Sequence, residues 1–164
     1  MHEPALGPIR TTVGLPNGPV SYLTWATGPQ NPAVVLLHGG GVDSASLSWG
    51  GIGPRLARAG YRVIAPDHPG YGHSPAPRLP VTQERLVAYV GEFVDALGLQ
   101  RYAIGGLSLG GGMTIGHVLD RPDGVSGAML LSSYGLMSRL SGGPLSGYGN
   151  WSPGRRCGPA YWGG

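Results

Sequence analysis

The apolar positions of this chain fall in short blocks that alternate between two periods. Ala33-Val34-Val35-Leu36-Leu37 is a continuous apolar run, the pattern of a strand buried on both faces. Tyr61 to Ala65, Arg101 to Ile104 and Val125 to Leu131 read as further strands. Ile9 to Val13 and Val20 to Trp25 are β segments flanking Pro16-Asn17-Gly18-Pro19, a turn signal that predicts a hairpin. Between these blocks the period shifts. Leu86, Val87, Val90, Phe93, Val94 and Leu97 form one stripe at 3.6-residue spacing, which predicts a helix over 82–97. Thr82 is its N-cap and Gly98 sits at C′. A short helix is expected from Gly51 to Ala59, stopped by Gly60, and another from Leu109 to Asp120.

Strands alternating with helices imply a mostly parallel sheet with right-handed crossovers, preceded here by an antiparallel hairpin. In such sheets ligands bind beyond the carboxyl ends of the strands. His38, Asp67 and Ser108 all fall at or just past such ends.

The last segment breaks the pattern. Gly142 to Gly164 is rich in Gly, Pro and Trp, and Leu145 and Ala160 are its only aliphatic side chains. It has neither period, so the expected division is a core over 1–140 and an irregular tail over 141–164.

Composition narrows the chemistry. The 164 residues suffice for one domain with a core. Charged residues are 12% of the chain, about half the usual share, but the ordered apolar blocks argue against disorder. All 11 basic residues other than histidine are arginines, and they are scattered apart from Arg155-Arg156. A nucleic-acid binder would cluster them, so they read as solvated surface charge. The absence of lysine excludes a Walker A loop, a Schiff-base lysine and a Ser-Lys dyad. The single Cys157 excludes an internal disulfide, and no metal-ligand spacing is present. No cofactor is implied. No apolar run approaches the roughly 20 residues of a membrane span, and the N-terminus has no signal or transit pattern. The expected location is therefore cytoplasmic, and the expected partner a small molecule.

One stretch carries chemistry directly. In Gly106-Leu107-Ser108-Leu109-Gly110 a serine lies between two glycines at a strand-to-helix turn. Such a turn, the nucleophile elbow, forces the serine into strained geometry with its hydroxyl exposed. The flanking glycines remove Cβ atoms that would strike the neighbouring strand and helix. The bland alternative is a serine in an ordinary glycine-rich turn.

Two further motifs precede it: His38-Gly39-Gly40-Gly41 after one strand, and Asp67-His68-Pro69-Gly70-Tyr71-Gly72-His73-Ser74 after the next. With the elbow, and in this order, they make residues 9 to 135 resemble the α/β-hydrolase superfamily. The likeness is to its small esterases, lipase-like enzymes and C–C hydrolases. The serine at position 108 argues against its epoxide hydrolase and haloalkane dehalogenase branches, whose nucleophile is an aspartate. The resemblance implies that Ser108 attacks an ester, or a C–C bond next to a carbonyl, through an acyl-enzyme. It implies oxyanion donors at the backbone N–H groups of Leu109 and Gly40, with Gly41 the neighbouring alternative. His38 is then an orienting residue of that loop, supported by Gly39 and Gly41. Asp67, with Gly70, Gly72 and Ser74, is structural. His68 and His73 brace the same loop or lie at the surface.

The family places an acid and then a histidine on later strand-to-helix loops. Past Ser108 this sequence holds one histidine, His117, and two acids, Asp120 and Asp123, all ahead of Val125. His117 falls roughly 13 Å along a helix axis from Ser108, beyond the reach of a general base. The expectation is a truncated or frame-shifted hydrolase that lacks its triad acid and histidine. Its activity is then impaired, and the strand at 125–131 is left as an exposed apolar edge. A non-catalytic ligand-binding protein on the same fold is the alternative. A nucleotide site is disfavoured, since no G-x-G-x-x-G follows any strand.

Overall fold

The computed structural model describes residues 7–25, 28–133 and 135–136. The chain forms one six-stranded sheet in the order β1-β2-β4-β3-β5-β6. The strands are β1 (Ile9–Leu15), β2 (Gly18–Trp25), β3 (Ala33–Leu37), β4 (Arg62–Pro66), β5 (Tyr102–Leu107) and β6 (Val125–Leu131). β1 and β2 form the antiparallel hairpin, paired from Ile9↔Thr24 to Leu15↔Gly18 around a tight Pro16-Asn17 turn. β2 runs antiparallel to β4, while β3, β4, β5 and β6 are parallel. The predicted α/β class with an N-terminal hairpin is what the chain adopts.

Helices cover both faces. On one lie α3 (Gln83–Ala96) and α4 (Leu109–Asp120), over a core that includes Val35, Leu37, Ile64, Val90, Phe93, Ile104 and Met113. On the other lie α1 (Ala45–Trp49) and α2 (Gly53–Arg58), over Leu23, Trp25, Leu36, Trp49, Val63 and Ala65. This double cover explains why β3 reads as an unbroken apolar run: like β4, it buries side chains into both cores. α3 buries the predicted stripe at Leu86, Val87, Val90, Phe93 and Val94. The Thr82 side chain caps it by accepting from the Arg85 N–H at 3.2 Å. Gly98, at φ +66°, turns the chain out of it.

Some boundaries differ from the pattern reading. The segment expected to be one helix over 51–59 holds only α2, and α1 precedes it. α1 is too short to show a period, and what starts it is the Ser44 side chain accepting the Leu47 N–H at 3.3 Å. β5 runs to Leu107, three residues beyond the apolar block, through Gly105 and Gly106. A single 3-10 turn at Pro122–Gly124 leads into β6. β6 pairs only with β5 among the described residues, and Met129, Leu130 and Leu131 remain 38–39% exposed. The tail at 141–164 lies outside the described residues.

Candidate functional site: the turn after β5

The parallel strands β3, β4 and β5 end side by side, and each delivers one motif to the same edge of the sheet. Ser108 follows β5 directly and caps α4, with φ 49° and ψ −107°. A non-glycine residue with positive φ is strained by about 1–3 kcal/mol and persists only where its surroundings over-determine it. They do so here. The Ser108 N–H donates to the Leu131 carbonyl at 2.9 Å, and the Gly110 N–H donates to the His38 carbonyl at 3.1 Å. A Cβ on Gly106 would overlap the Gly110 carbonyl, and one on Gly110 would overlap the Leu37 carbonyl and lie 2.6 Å from the His38 oxygen. Both positions require glycine because backbone passes there.

The glycine loop after β3 lies against this turn. A Cβ on Gly39 would sit 3.8 Å from Ser108 Cβ, and one on Gly40 would sit 3.6 Å from Leu109 Cβ. Neither the Gly40 N–H nor the Leu109 N–H has a hydrogen-bond partner among the described residues. Leu109 opens α4, so the helix dipole adds positive potential there. Gly41, at φ +73°, is exposed and has no neighbour that a Cβ would meet.

His38 is fully buried beneath the loop. Its Nδ1 donates to the Gly39 carbonyl at 2.7 Å, and its Nε2 accepts the His68 backbone N–H at 3.0 Å. Both bonds require one neutral tautomer, protonated at Nδ1. The two imidazoles stack, with centroids 3.9 Å apart. His68 Nε2 donates to the His38 carbonyl at 3.0 Å, and its Nδ1 lies 3.4 Å from the Tyr89 hydroxyl. Burial holds His68 well below the ordinary imidazole pKa, with His38 adding to the depression. Burial lowers His38 too, against the opposing pull of the Gly39 bond, Asp43 and Asp67.

Asp67 ties three segments together. Its carboxylate accepts from Arg10 Nη1 at 2.7 Å, the Ala45 N–H at 2.8 Å and the His73 N–H at 3.0 Å. Gly72, at φ +51°, packs so closely that any Cβ would strike that carboxylate. Ser74 Oγ donates to the Asp67 carbonyl and accepts the Ser21 N–H, and the Gly70 N–H closes the loop onto Pro75. His73 itself is exposed. His117 lies away from Ser108, buried with its Nε2 2.7 Å from the Tyr102 hydroxyl.

Two features escape the sequence reading. Asp43 accepts the Gly39 N–H at 2.7 Å, and no motif marks it. Ser132, at φ 44°, is a second strained residue, just past β6. Its neighbour Ser133 packs so near α4 that a Cβ on Gly111 would lie 2.5 Å from the Ser133 hydroxyl. Among the described residues no cluster of His, Cys, Asp and Glu could hold a metal. No helix among them is long and apolar enough to cross a membrane.

The model of the alpha/beta hydrolase fold family matches residues 32–154. The chain belongs to the α/β-hydrolase family. Over 114 residues this α/β-hydrolase is 36% identical to the 2-hydroxy-6-oxo-6-phenylhexa-2,4-dienoate hydrolase of Burkholderia cepacia, covering 68% of this chain and 40% of that one. Over 109 residues it is 35% identical to the 2-hydroxy-6-oxo-6-(2'-aminophenyl)hexa-2,4-dienoic acid hydrolase of Metapseudomonas resinovorans, covering 65% and 37%. Among solved structures it resembles the 2-hydroxy-6-oxo-6-phenylhexa-2,4-dienoate hydrolase of Rhodococcus sp. strain RHA1, with TM-score 0.70 and 30% identity over 84% of this chain and 50% of that one. The α/β-hydrolase chain thus spans about two fifths of the length of these curated relatives.

Proposed function

We propose that this chain carries the nucleophile and the oxyanion donors of a serine hydrolase. It would act on an ester or on a C–C bond next to a carbonyl. Ser108 is the nucleophile. Its Oγ bonds to the carbonyl carbon and its proton passes to a base, while the carbonyl oxygen gains the negative charge. Collapse of that intermediate expels the leaving group and leaves an acyl-enzyme for water to cleave. The N–H groups of Gly40 and Leu109 receive the oxyanion. His38, Gly39, Gly41, Gly106 and Gly110 shape the loop and turn that hold these donors. Asp67, Gly70, Gly72 and Ser74 hold the neighbouring loop. The observation that carries the reading is the Ser108 backbone at φ 49°, wedged between backbone contacts that exclude any side chain at positions 106 and 110. The C–C alternative among substrates is favoured by the dienoate hydrolases among the relatives.

One observation favours a second reading, a ligand-binding protein on the same fold. Among the described residues no histidine hydrogen-bonds the Ser108 hydroxyl. His38 and His68 bond each other and backbone, and His117 meets Tyr102. A fluorophosphonate probe separates the two. Covalent labelling that disappears in Ser108→Ala supports the hydrolase; a folded sample that takes no label supports the binder.

A further inference from the structure

Gly39 is held at both of its peptide groups. Its C=O accepts His38 Nδ1–H at 2.7 Å, and its N–H donates to Asp43 Oδ2 at 2.7 Å. The two clamping groups come from opposite sides along the chain: His38 directly follows β3, and Asp43 lies in the stretch before α1. The Gly39–Gly40 peptide is trans, so its C=O and N–H point in opposite directions. Anchoring the carbonyl on the buried imidazole therefore turns the Gly40 N–H away from the core. That leaves this N–H without a partner among the described residues, in a loop that packs against Ser108 and Leu109.

Asp43 is itself built in. Ser48 Oγ donates to its carboxylate, 2.7 Å from Oδ2 and 3.0 Å from Oδ1, and the Ser44 N–H donates to Oδ1 at 2.7 Å. A charged acceptor with three donors is a strong, short-range anchor. A simple turn-former would need none of this. Gly41 and Val42, between the clamp and Asp43, are exposed, and Val42 is 100% exposed. Asp43 is the acceptor of the Gly39 N–H, which has no other partner among the described residues.

We infer that Asp43 is a positioning residue of the oxyanion loop: its carboxylate, steadied by Ser48, fixes the Gly39 N–H so that the Gly40 N–H keeps one orientation toward Ser108. The inference rests on the proposed oxyanion role of Gly40, and two readouts separate the failure of each. The first is the ¹H–¹⁵N spectrum of the full chain. In the wild type the Gly39 amide proton lies far downfield, as for a short bond to a carboxylate, and Gly40 gives one sharp cross-peak. Asp43→Ala moves the Gly39 resonance upfield and broadens or splits Gly40. Asp43→Asn, which keeps an acceptor oxygen, restores a single Gly40 peak. An unchanged Gly40 peak in Asp43→Ala overturns the inference. Should that variant not fold, Ser48→Ala decides: Gly39 and Gly40 both shift if the clamp exists, and stay in place if it does not.

The second readout is fluorophosphonate labelling of Ser108, separated into its binding and bond-forming constants. Asp43→Ala slows the bond-forming step about tenfold with the binding constant unchanged, and Asp43→Asn recovers most of the loss. Equal rates in wild type and Asp43→Ala overturn the inference. Absence of any labelling in the wild type instead defeats the nucleophile reading, while the spectra still decide the clamp.

Discussion

The Gly110 N–H, at the start of α4, donates to the His38 carbonyl, just past β3, at 3.1 Å. The same carbonyl accepts His68 Nε2 at 3.0 Å. One oxygen thus joins the turn that carries the serine, the loop that carries the glycines and the loop that follows β4. The three motifs are separate in sequence and are one hydrogen-bonded unit in the fold.

That contact makes position 110 intolerant of any side chain. Gly110→Ala places a Cβ 2.6 Å from the His38 oxygen and against the Leu37 carbonyl, neither of which can rotate away. The expected cost is about 2–4 kcal/mol. Urea denaturation of the variant against the wild type measures it, and a loss below about 1 kcal/mol would contradict the packing described.

Ser108 holds its backbone at a cost. Ser108→Gly relieves the positive φ and adds disorder to the unfolded chain, so the expected net is a gain of about 1 kcal/mol. Fluorophosphonate labelling is abolished in the same variant. Thermal unfolding is the check, and a lower melting temperature than the wild type would show that the serine is not strained.

Acid should weaken the fold well before carboxylates titrate. His38, His68 and His117 all have pKa values lowered from 6.5, burial being the main cause in each. A base whose folded pKa is depressed binds fewer protons folded than unfolded. Its stabilising contribution is present above pH 6.5 and is lost as the pH falls from 6.5 toward the folded values. Unfolding free energy measured from pH 7.5 to 5 should drop steadily. In His68→Gln, the slope should be shallower by up to one proton. A flat profile in the wild type would mean that these imidazoles titrate normally.

Asp67→Ala removes the acceptor shared by Arg10, Ala45 and His73 and leaves the Ala45 N–H buried and unpaired. The Asp67 side chain is fully buried and Arg10 is 28% exposed. Stripping one partner from such a pair typically costs about 3–5 kcal/mol. The variant should lose that much in denaturant titration and show faster amide exchange through 67–74. Asp67→Asn should recover part of it.

Hydrolysis of p-nitrophenyl acetate by the 164-residue chain should be weak, because no histidine among the described residues hydrogen-bonds the Ser108 hydroxyl and the His38, His68 and His117 rings are bonded elsewhere. A triad works as a unit, and a serine without its base falls toward the rate an oxyanion hole supports alone. Initial rates of wild type and Ser108→Ala test this. Fast turnover that vanishes in the variant would refute it.

The parts of the fold visible in the sequence are those with a period. The run from Ala33 to Leu37 is buried on both faces, and the stripe from Leu86 to Val94 faces the core, as their spacing predicts. α1 is missed because five residues cannot display a period and its start depends on a side-chain cap at Ser44. Within the site, the sequence singles out residues whose type is dictated locally, such as Gly106 and Ser108. Asp43, and the stack of His38 on His68, are invisible there. Their partners are set by how loops from different strands curl together, which no local pattern encodes.

The bonds of Asp67 reach 57 residues back to Arg10, 22 back to Ala45 and only 6 forward to His73. Two of the three cannot form until the hairpin has docked on β4 and the segment after β3 has come over the sheet. The loop from Asp67 to Ser74 is therefore expected to form late in folding, once distant parts of the chain have met. During synthesis its residues emerge after Arg10 and Ala45, so the partners are already waiting. In refolding from denaturant, burial of Asp67 should lag behind formation of the α3 helix, whose backbone hydrogen bonds are local.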